Sequence, residues 1–147
     1  MGLIADLAPG PIAIDTAAVI YFIEEHPRFL RVIRPLFVQA DEGRRELVTS
    51  VLTLLEVLVV PYRARNLSLA ERYETLLTRG RGIRLVDVSR DLLRVAAQLR
   101  ATTTVGTPDA VQLAAAIAAN CTTFVTNDRR LPDVAGLRVI QLSSYAA

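Results

Sequence analysis

The sequence predicts an α/β domain: a central, mainly parallel sheet of four or five strands with helices over both faces. Three observations predict it. Short strand-type apolar runs alternate with amphipathic stretches of helical spacing along almost the whole chain. The runs are continuously apolar instead of alternating with polar residues, as expected for strands buried on both sides. Hydrophobic residues make up 52% of the chain and aromatics only 5%, so the core must be built from Leu, Val, Ile and Ala, which suits layered packing of helices on a sheet.

Residues 1–10 read as an N-terminal lead-in closed by Pro9-Gly10-Pro11, and residues 11–147 as one domain. Ile12 to Ile14 is the first strand, followed by a helix from Ala17 to Glu25 with Thr16 as its cap and His26-Pro27 at its end. Phe29 to Ala40 has Leu30, Val32, Ile33, Leu36 and Phe37 at helical spacing, with a kink or break expected at Pro35. Glu46 to Ser50 is the second strand, and a helix from about Val51 to Arg65 follows, its Leu52, Leu55 and Val59 face expected to be buried and its course bent at Pro61. Ser68 with Glu71 reads as a capping box for a helix through Leu77, closed by Gly80 or Gly82. Ile83 to Val88 is the third strand, and Ser89 caps the helix carrying Leu92, Leu93, Ala96, Ala97 and Leu99. Thr107-Pro108-Asp109 opens another helix, with Thr107 as cap and an acid in the first turn. Thr122 to Thr126 and Arg138 to Leu142 are the last two strands, with a short turn or helix near Arg129 to Pro132 between them.

Composition excludes several classes. No apolar run approaches the roughly 20 residues needed to span a bilayer, and the N-terminus has no basic, long-apolar leader pattern, so a cytoplasmic protein is expected. Cys121 is the single cysteine, which rules out an internal disulfide and a thiolate zinc site. All 17 basic residues are Arg against 15 acidic ones. Arg suits phosphate, but a formal charge of +2 does not by itself argue for nucleic acid.

The chemistry lies in four acids. Asp15 follows the first strand in Ile14-Asp15-Thr16, and Asp128 follows the fourth in Val125-Thr126-Asn127-Asp128. Asp109 starts a helix that enters near the same edge, and Glu56 lies on the apolar helix after the second strand, from where it can reach back. Ligands of open parallel sheets bind beyond the carboxyl ends of the strands. Taken singly, Asp15 reads as a helix cap, Asp109 as an acid favoured by the helix dipole and Asp128 as a turn residue. Glu56 resists such a reading: on a helix apolar on nearly all sides, a lone buried carboxylate costs several kcal/mol in order of magnitude unless paired or metal-bound. No neutralising basic residue stands out beside any of the four. One shared pocket accounts for them all, and an oxygen-only ligand set selects a hard ion such as Mg²⁺ or Mn²⁺. His26 reads as a surface or capping residue, Asp87 as a structural strand residue, and Tyr62 and Tyr73 as packing residues with exposed hydroxyls. Arg79, Arg81 and Arg84 read as a solvated turn.

This ordered quartet resembles that of the PIN-domain nucleases, in particular the small VapC-type toxins of toxin–antitoxin pairs. The resemblance is carried by Ile14-Asp15-Thr16, Thr53-Leu54-Leu55-Glu56-Val57, Thr107-Pro108-Asp109-Ala110 and Val125-Thr126-Asn127-Asp128. It implies a three-layer α/β/α sandwich and a Mg²⁺- or Mn²⁺-dependent endoribonuclease that hydrolyses RNA with a metal-activated water. Asp15, Glu56, Asp109 and Asp128 would be the metal-holding catalytic acids, with Thr16, Thr126 and Asn127 in support. A homodimer and a VapB-like antitoxin partner are also implied. Hydrophobic Leu, Val and Phe residues on the helices between Phe29 and Leu77 read for the most part as core packing, with a partner groove as the other use. The ten-residue lead-in and the compact link from Arg100 to Gly106 depart from the family pattern.

Other small parallel α/β classes fit less well. A receiver domain needs a Lys that this chain lacks, and a haloacid-dehalogenase phosphatase needs a second Asp where Ala17 stands. The remaining alternative is a non-catalytic PIN-like module that binds RNA or protein.

Overall fold

The computed structural model describes residues 2–134 and 136–146. Five strands, β1 (Ile12–Ile14), β2 (Leu47–Ser50), β3 (Ile83–Val86), β4 (Thr123–Thr126) and β5 (Arg138–Gln141), form one sheet in the order β3-β2-β1-β4-β5. Every neighbouring pair is parallel. Between them run α2 (Thr16–Ile23), α3 (Leu30–Asp41), α4 (Leu52–Arg63), α5 (Leu67–Arg79), α6 (Arg90–Thr102) and α7 (Thr107–Ala118). A short helix α1 (Leu3–Asp6) precedes β1, and a 3₁₀ turn (Leu142–Tyr145) follows β5.

Two apolar layers sandwich the sheet, and the period of two along each strand decides which residue faces which layer. Ile12, Ile14, Leu47, Val125 and Ile140 meet residues of α2, α3 and α5, among them Val19, Leu36, Tyr73 and Leu77. Ala13, Val48 and Phe124 face the other way, onto Leu92, Ala96 and Leu99 of α6 and the Ala-rich face of α7. Small side chains at Ala110, Ala114, Ala115 and Ala116, all essentially inaccessible, let α7 lie close against the sheet. This is the three-layer α/β/α arrangement.

The path of the chain explains the strand order. From β1 it moves outward through β2 to β3 with α2, α3 and α5 on one face, then returns by α6 and α7 on the other face to place β4 on the far side of β1. Parallel crossovers are right-handed, so reversing the direction of travel exchanges the helix layer. The reversal leaves a switch point between β1 and β4, whose carboxyl ends are Ile14 and Thr126.

Several local expectations are corrected. Asp15, not Thr16, caps α2: its carboxylate accepts from Ala18 N–H at 3.0 Å. Asn66, not Ser68, caps α5, accepting from Leu69 N–H at 3.1 Å. Gly106 takes the cap position of α7 and makes no side-chain bond there, with Thr107 inside the helix. Pro35 lies within the continuous α3, on its exposed side, so no break occurs. The lead-in is not outside the fold, since Leu3 of α1 is buried in the first core. Asp87 lies past the end of β3 and is exposed, while the link between β4 and β5 takes the turn form of its expectation, at Arg129 and Arg130. Tyr73 is buried, and its hydroxyl donates to Glu24 instead of facing solvent.

No helix among the described residues is long and apolar enough to cross a membrane.

Candidate functional site

The switch point is bridged by one hydrogen bond. Thr126 Oγ1, fully buried at the end of β4, donates to Asp15 Oδ2 at 2.5 Å, and the same oxygen accepts from Asp128 N–H at 3.0 Å. The backbone N–H of Asp15 itself reaches Val125 O at 3.4 Å. One threonine thus fixes both the acid after β1 and the backbone of the acid after β4. Burial is the main influence on Asp15 and pushes its pKa up, against the hydrogen bonds from Thr126, Ala18 and the Asn127 backbone. The negative charge of Asp109 adds to the upward push.

Asp109 stands half-buried in the first turn of α7. Burial raises its pKa, the charges of Asp128 and Glu56 raise it further, and Arg130 acts in the opposite sense. Asp109 is therefore the acid through which the others are felt: Asp15, Glu56 and Asp128 all share a field with it.

Glu56 lies one turn into α4 and is half-buried. Its helix is not buried all round, contrary to the sequence expectation, because Leu55 and Val60 are exposed to 62% and 67%. What holds Glu56 is a chain of neutral donors. Thr16 Oγ1 donates to Glu56 Oε1 at 2.6 Å. Having spent its only proton there, Thr16 must accept from Thr53 Oγ1 at 3.2 Å. Thr53 in turn accepts from Gln112 Nε2 at 2.8 Å. Gln112 Oε1 accepts from Ser50 N–H at 3.3 Å, and the single hydroxyl proton of Thr49 is shared between Thr53 Oγ1 at 2.8 Å and Gln112 Oε1 at 3.3 Å. This network links β2, α4, α7 and α2 through buried Thr49, Thr53 and Gln112. Sequence reasoning missed it; the available signal was Gln112, a lone amide in the apolar run of α7.

Asp128 differs from the other three. Arg130 donates from its backbone N–H and Nε to Oδ1, each at 3.0 Å, and from Nη2 to Oδ2 at 2.9 Å. These bonds hold the carboxyl below the usual range. The expectation that no basic residue neutralises the acids therefore fails at Asp128. Asn127 acts on Asp15 only through its backbone. Its side chain accepts from Ser143 N–H at 3.1 Å and donates to Tyr21 Oη at 3.4 Å, so it fastens the 3₁₀ turn to α2. Gln141 Nε2 donates to the Asp128 carbonyl at 3.0 Å, a further fastening not foreseen.

As the side chains stand, no three His, Cys, Asp or Glu residues among those described are gathered closely enough to grip a metal ion. The donor set nevertheless fits a hard divalent cation: it offers carboxylates only, and burial together with like charge destabilises the ionised forms of Asp15 and Asp109. A thiolate alternative does not arise at the site. Cys121 is buried in the α6–α7 layer, and burial chiefly pushes its thiol up to about 11.

A cleft of about 710 Å³ lies elsewhere, between Pro9–Pro11 and residues 43–46. Its arginines are already engaged, Arg45 by Gln39 Oε1 and the carbonyls of Ala8 and Gly10, and Arg44 by Glu42. It brings no acid–base pair or nucleophile together.

A family model of the PIN domain matches residues 12–137. The chain belongs to the PIN-domain family. Among solved structures, this PIN chain is similar to a chain of VapBC2 from Rickettsia felis bound to a promoter DNA fragment. The TM-score is 0.67 at 19% identity, covering 89% of this chain and 98% of that one. It is also similar to a chain of DNA-bound VapBC from Salmonella typhimurium, with a TM-score of 0.62, 20% identity and coverage of 91% and 99%. VapBC-1 from nontypeable Haemophilus influenzae gives a TM-score of 0.62 at 16% identity, covering 90% and 98%. At such identities the likeness is one of fold. A comparison with curated proteins finds no match to the sequence.

Proposed function

We propose that this PIN-domain chain is a Mg²⁺- or Mn²⁺-dependent endoribonuclease, the VapC-type toxin of a cytoplasmic toxin–antitoxin pair. The observation that carries the proposal is the bridged switch point: Thr126 ties Asp15 and the Asp128 backbone together across β1 and β4, and Asp109 and Glu56 share their field.

Asp15, Glu56, Asp109 and Asp128 would hold the divalent ion. Bound there, the ion supplies charge neutralisation for a scissile phosphate and a lowered pKa for the attacking water. The chain's own residues do the rest. Thr126 and the cap bond to Ala18 fix the direction of Asp15, and the Gln112-Thr53-Thr16 chain aims three neutral donors in sequence at Glu56. No nucleophilic side chain is required: a water activated by the ion and acting in line would leave a 5′-phosphate and a 3′-hydroxyl. Mapping the ends of RNA cleaved by the purified protein tests this; a 2′,3′-cyclic phosphate contradicts it.

VapBC complexes are the assemblies in which the similar folds occur, and we propose a VapB-like antitoxin and a homodimer for this chain. A groove lined by Ile23, Arg72, Leu76 and Arg79 continues past Leu76 and Gly80 to Phe22, Phe37 and Ile83. Its apolar floor and a rim of mixed charge, Arg72, Arg79 and Arg81 with Glu71 and Asp41, suit an amphipathic segment of such a partner. The alternative, a non-catalytic RNA- or protein-binding module, has one observation in its favour, the fork of Arg130 on Asp128. Thermal melts with and without millimolar Mg²⁺ separate the two, since a ligand of the folded form raises its apparent stability. No shift favours the binding module.

A further inference from the structure

Asp128 is held by a cation of its own chain, whereas the bonds found at Asp15 and Glu56 come from neutral N–H and hydroxyl donors. The fork from Arg130 takes up both oxygens of Asp128. The Arg130 side chain is 86% exposed and the Asp128 side chain 25%, so the acid's two oxygens are engaged by a guanidinium that itself stands in solvent. The charge of Arg130 also bears on Asp109. Its neighbour Arg129 points elsewhere, donating to Ser143 Oγ at 3.3 Å.

We propose that Arg130 is an internal competitor for the divalent ion: its guanidinium occupies Asp128 and must swing away before that carboxylate can serve as a ligand. This rests on the reading of the four acids as the ion-holding set. Arg130 is thus a positioning residue that sets the cation concentration at which the site assembles. A flexible, solvent-facing side chain suits the role, because an exposed ion pair is weak enough to be exchanged.

The test is calorimetric titration of the full chain with Mn²⁺, with circular dichroism to verify folding. Arg130→Gln is expected to bind Mn²⁺ roughly three- to fivefold more tightly than the unmodified protein, the scale of an exposed ion pair. Arg129→Gln, which removes the same charge without touching the fork, is expected to show a smaller gain. In an Asp128→Asn background, Arg130→Gln should add nothing further. Equal affinities for the unmodified protein and Arg130→Gln overturn the proposal, as does an equal gain from Arg129→Gln. If the unmodified protein binds Mn²⁺, Asp15→Asn weakens that binding and Arg130→Gln leaves it unchanged, only the competitor role fails. If the unmodified protein binds no Mn²⁺, the reading of the acids fails as well.

Discussion

Asp15 has two duties that substitution can separate. One carboxylate oxygen caps α2 and the other receives the Thr126 hydroxyl. Asparagine keeps the shape and is as good a cap as aspartate, whereas alanine forfeits about 1 kcal/mol of helix stability. The amide nitrogen cannot accept from Thr126, so Asp15→Asn should fold with a stability change of about 1 kcal/mol at most, yet lose RNA cleavage by roughly two orders of magnitude or more, the scale on which essential catalytic groups act. Normal cleavage by a well-folded Asp15→Asn protein would remove this residue from the site. The raised pKa values of Asp15 and Asp109 also set a pH dependence. A carboxyl whose folded pKa lies above its unfolded one binds more protons in the native state between the two values, so native stability falls as pH rises through that window. Asp128, with its pKa lowered, works in the opposite sense at more acid pH: its contribution is lost as pH falls through its folded value. In melts without divalent ions, Asp109→Asn should flatten the decline above the ordinary carboxylate range. A decline of the same slope in that variant would mean that Asp109 is not a source of the strain.

At the scale of elements, the caps show where sequence reasoning succeeds and where it slips. Ser89 was legible as the cap of α6, accepting from Leu92 N–H at 3.1 Å, because no other cap residue competes next to it. Thr16 was misread because Asp15 beside it is an equally good cap, and the Thr16 hydroxyl is committed to Glu56 by a contact 40 residues distant in sequence. Ser68 was read as the cap of α5, where Asn66, an equally good cap two positions earlier, holds that place. Asn66→Ala should accordingly cost about 1 kcal/mol in chemical denaturation and Ser68→Ala only a few tenths; the reverse order would restore the sequence-based cap. Gly82 is a sharper case. Its φ is +74°, and a Cβ there would come within 2.4 Å of Ala40 O, so Gly82→Ala must strain the join between α3 and β3. That glycine could be read as a stop signal, but not as a point of close approach between distant backbones.

For the molecule as a whole, alternating strands and helices made the parallel sheet and the carboxyl-edge location of the acids legible, since both follow from period and chain direction alone. The strand order places Asp15 and Thr126 side by side, and the Gln112 network and the Arg130 fork were not legible, because each depends on which distant elements become neighbours or on which way an exposed side chain turns. The face of α4 was misjudged for a related reason. Its residues are apolar on nearly all sides, yet Leu55 and Tyr62 are exposed to 62% and 56%. These positions fall on one face with Val59 between them. In a homodimer this face is the natural contact, so replacing Leu55 and Tyr62 together with Glu should convert a dimer to a monomer in size-exclusion chromatography with light scattering; an unchanged mass would locate the contact elsewhere. The acids matter only if their shared field is put to use. The most direct measurement incubates total cellular RNA with the purified chain in Mg²⁺ and in chelator, and maps the ends formed. Cleavage that requires the ion, leaves 5′-phosphates and disappears in Asp15→Asn is the predicted result. Cleavage that persists in chelator, or ends that carry cyclic phosphates, would contradict the account.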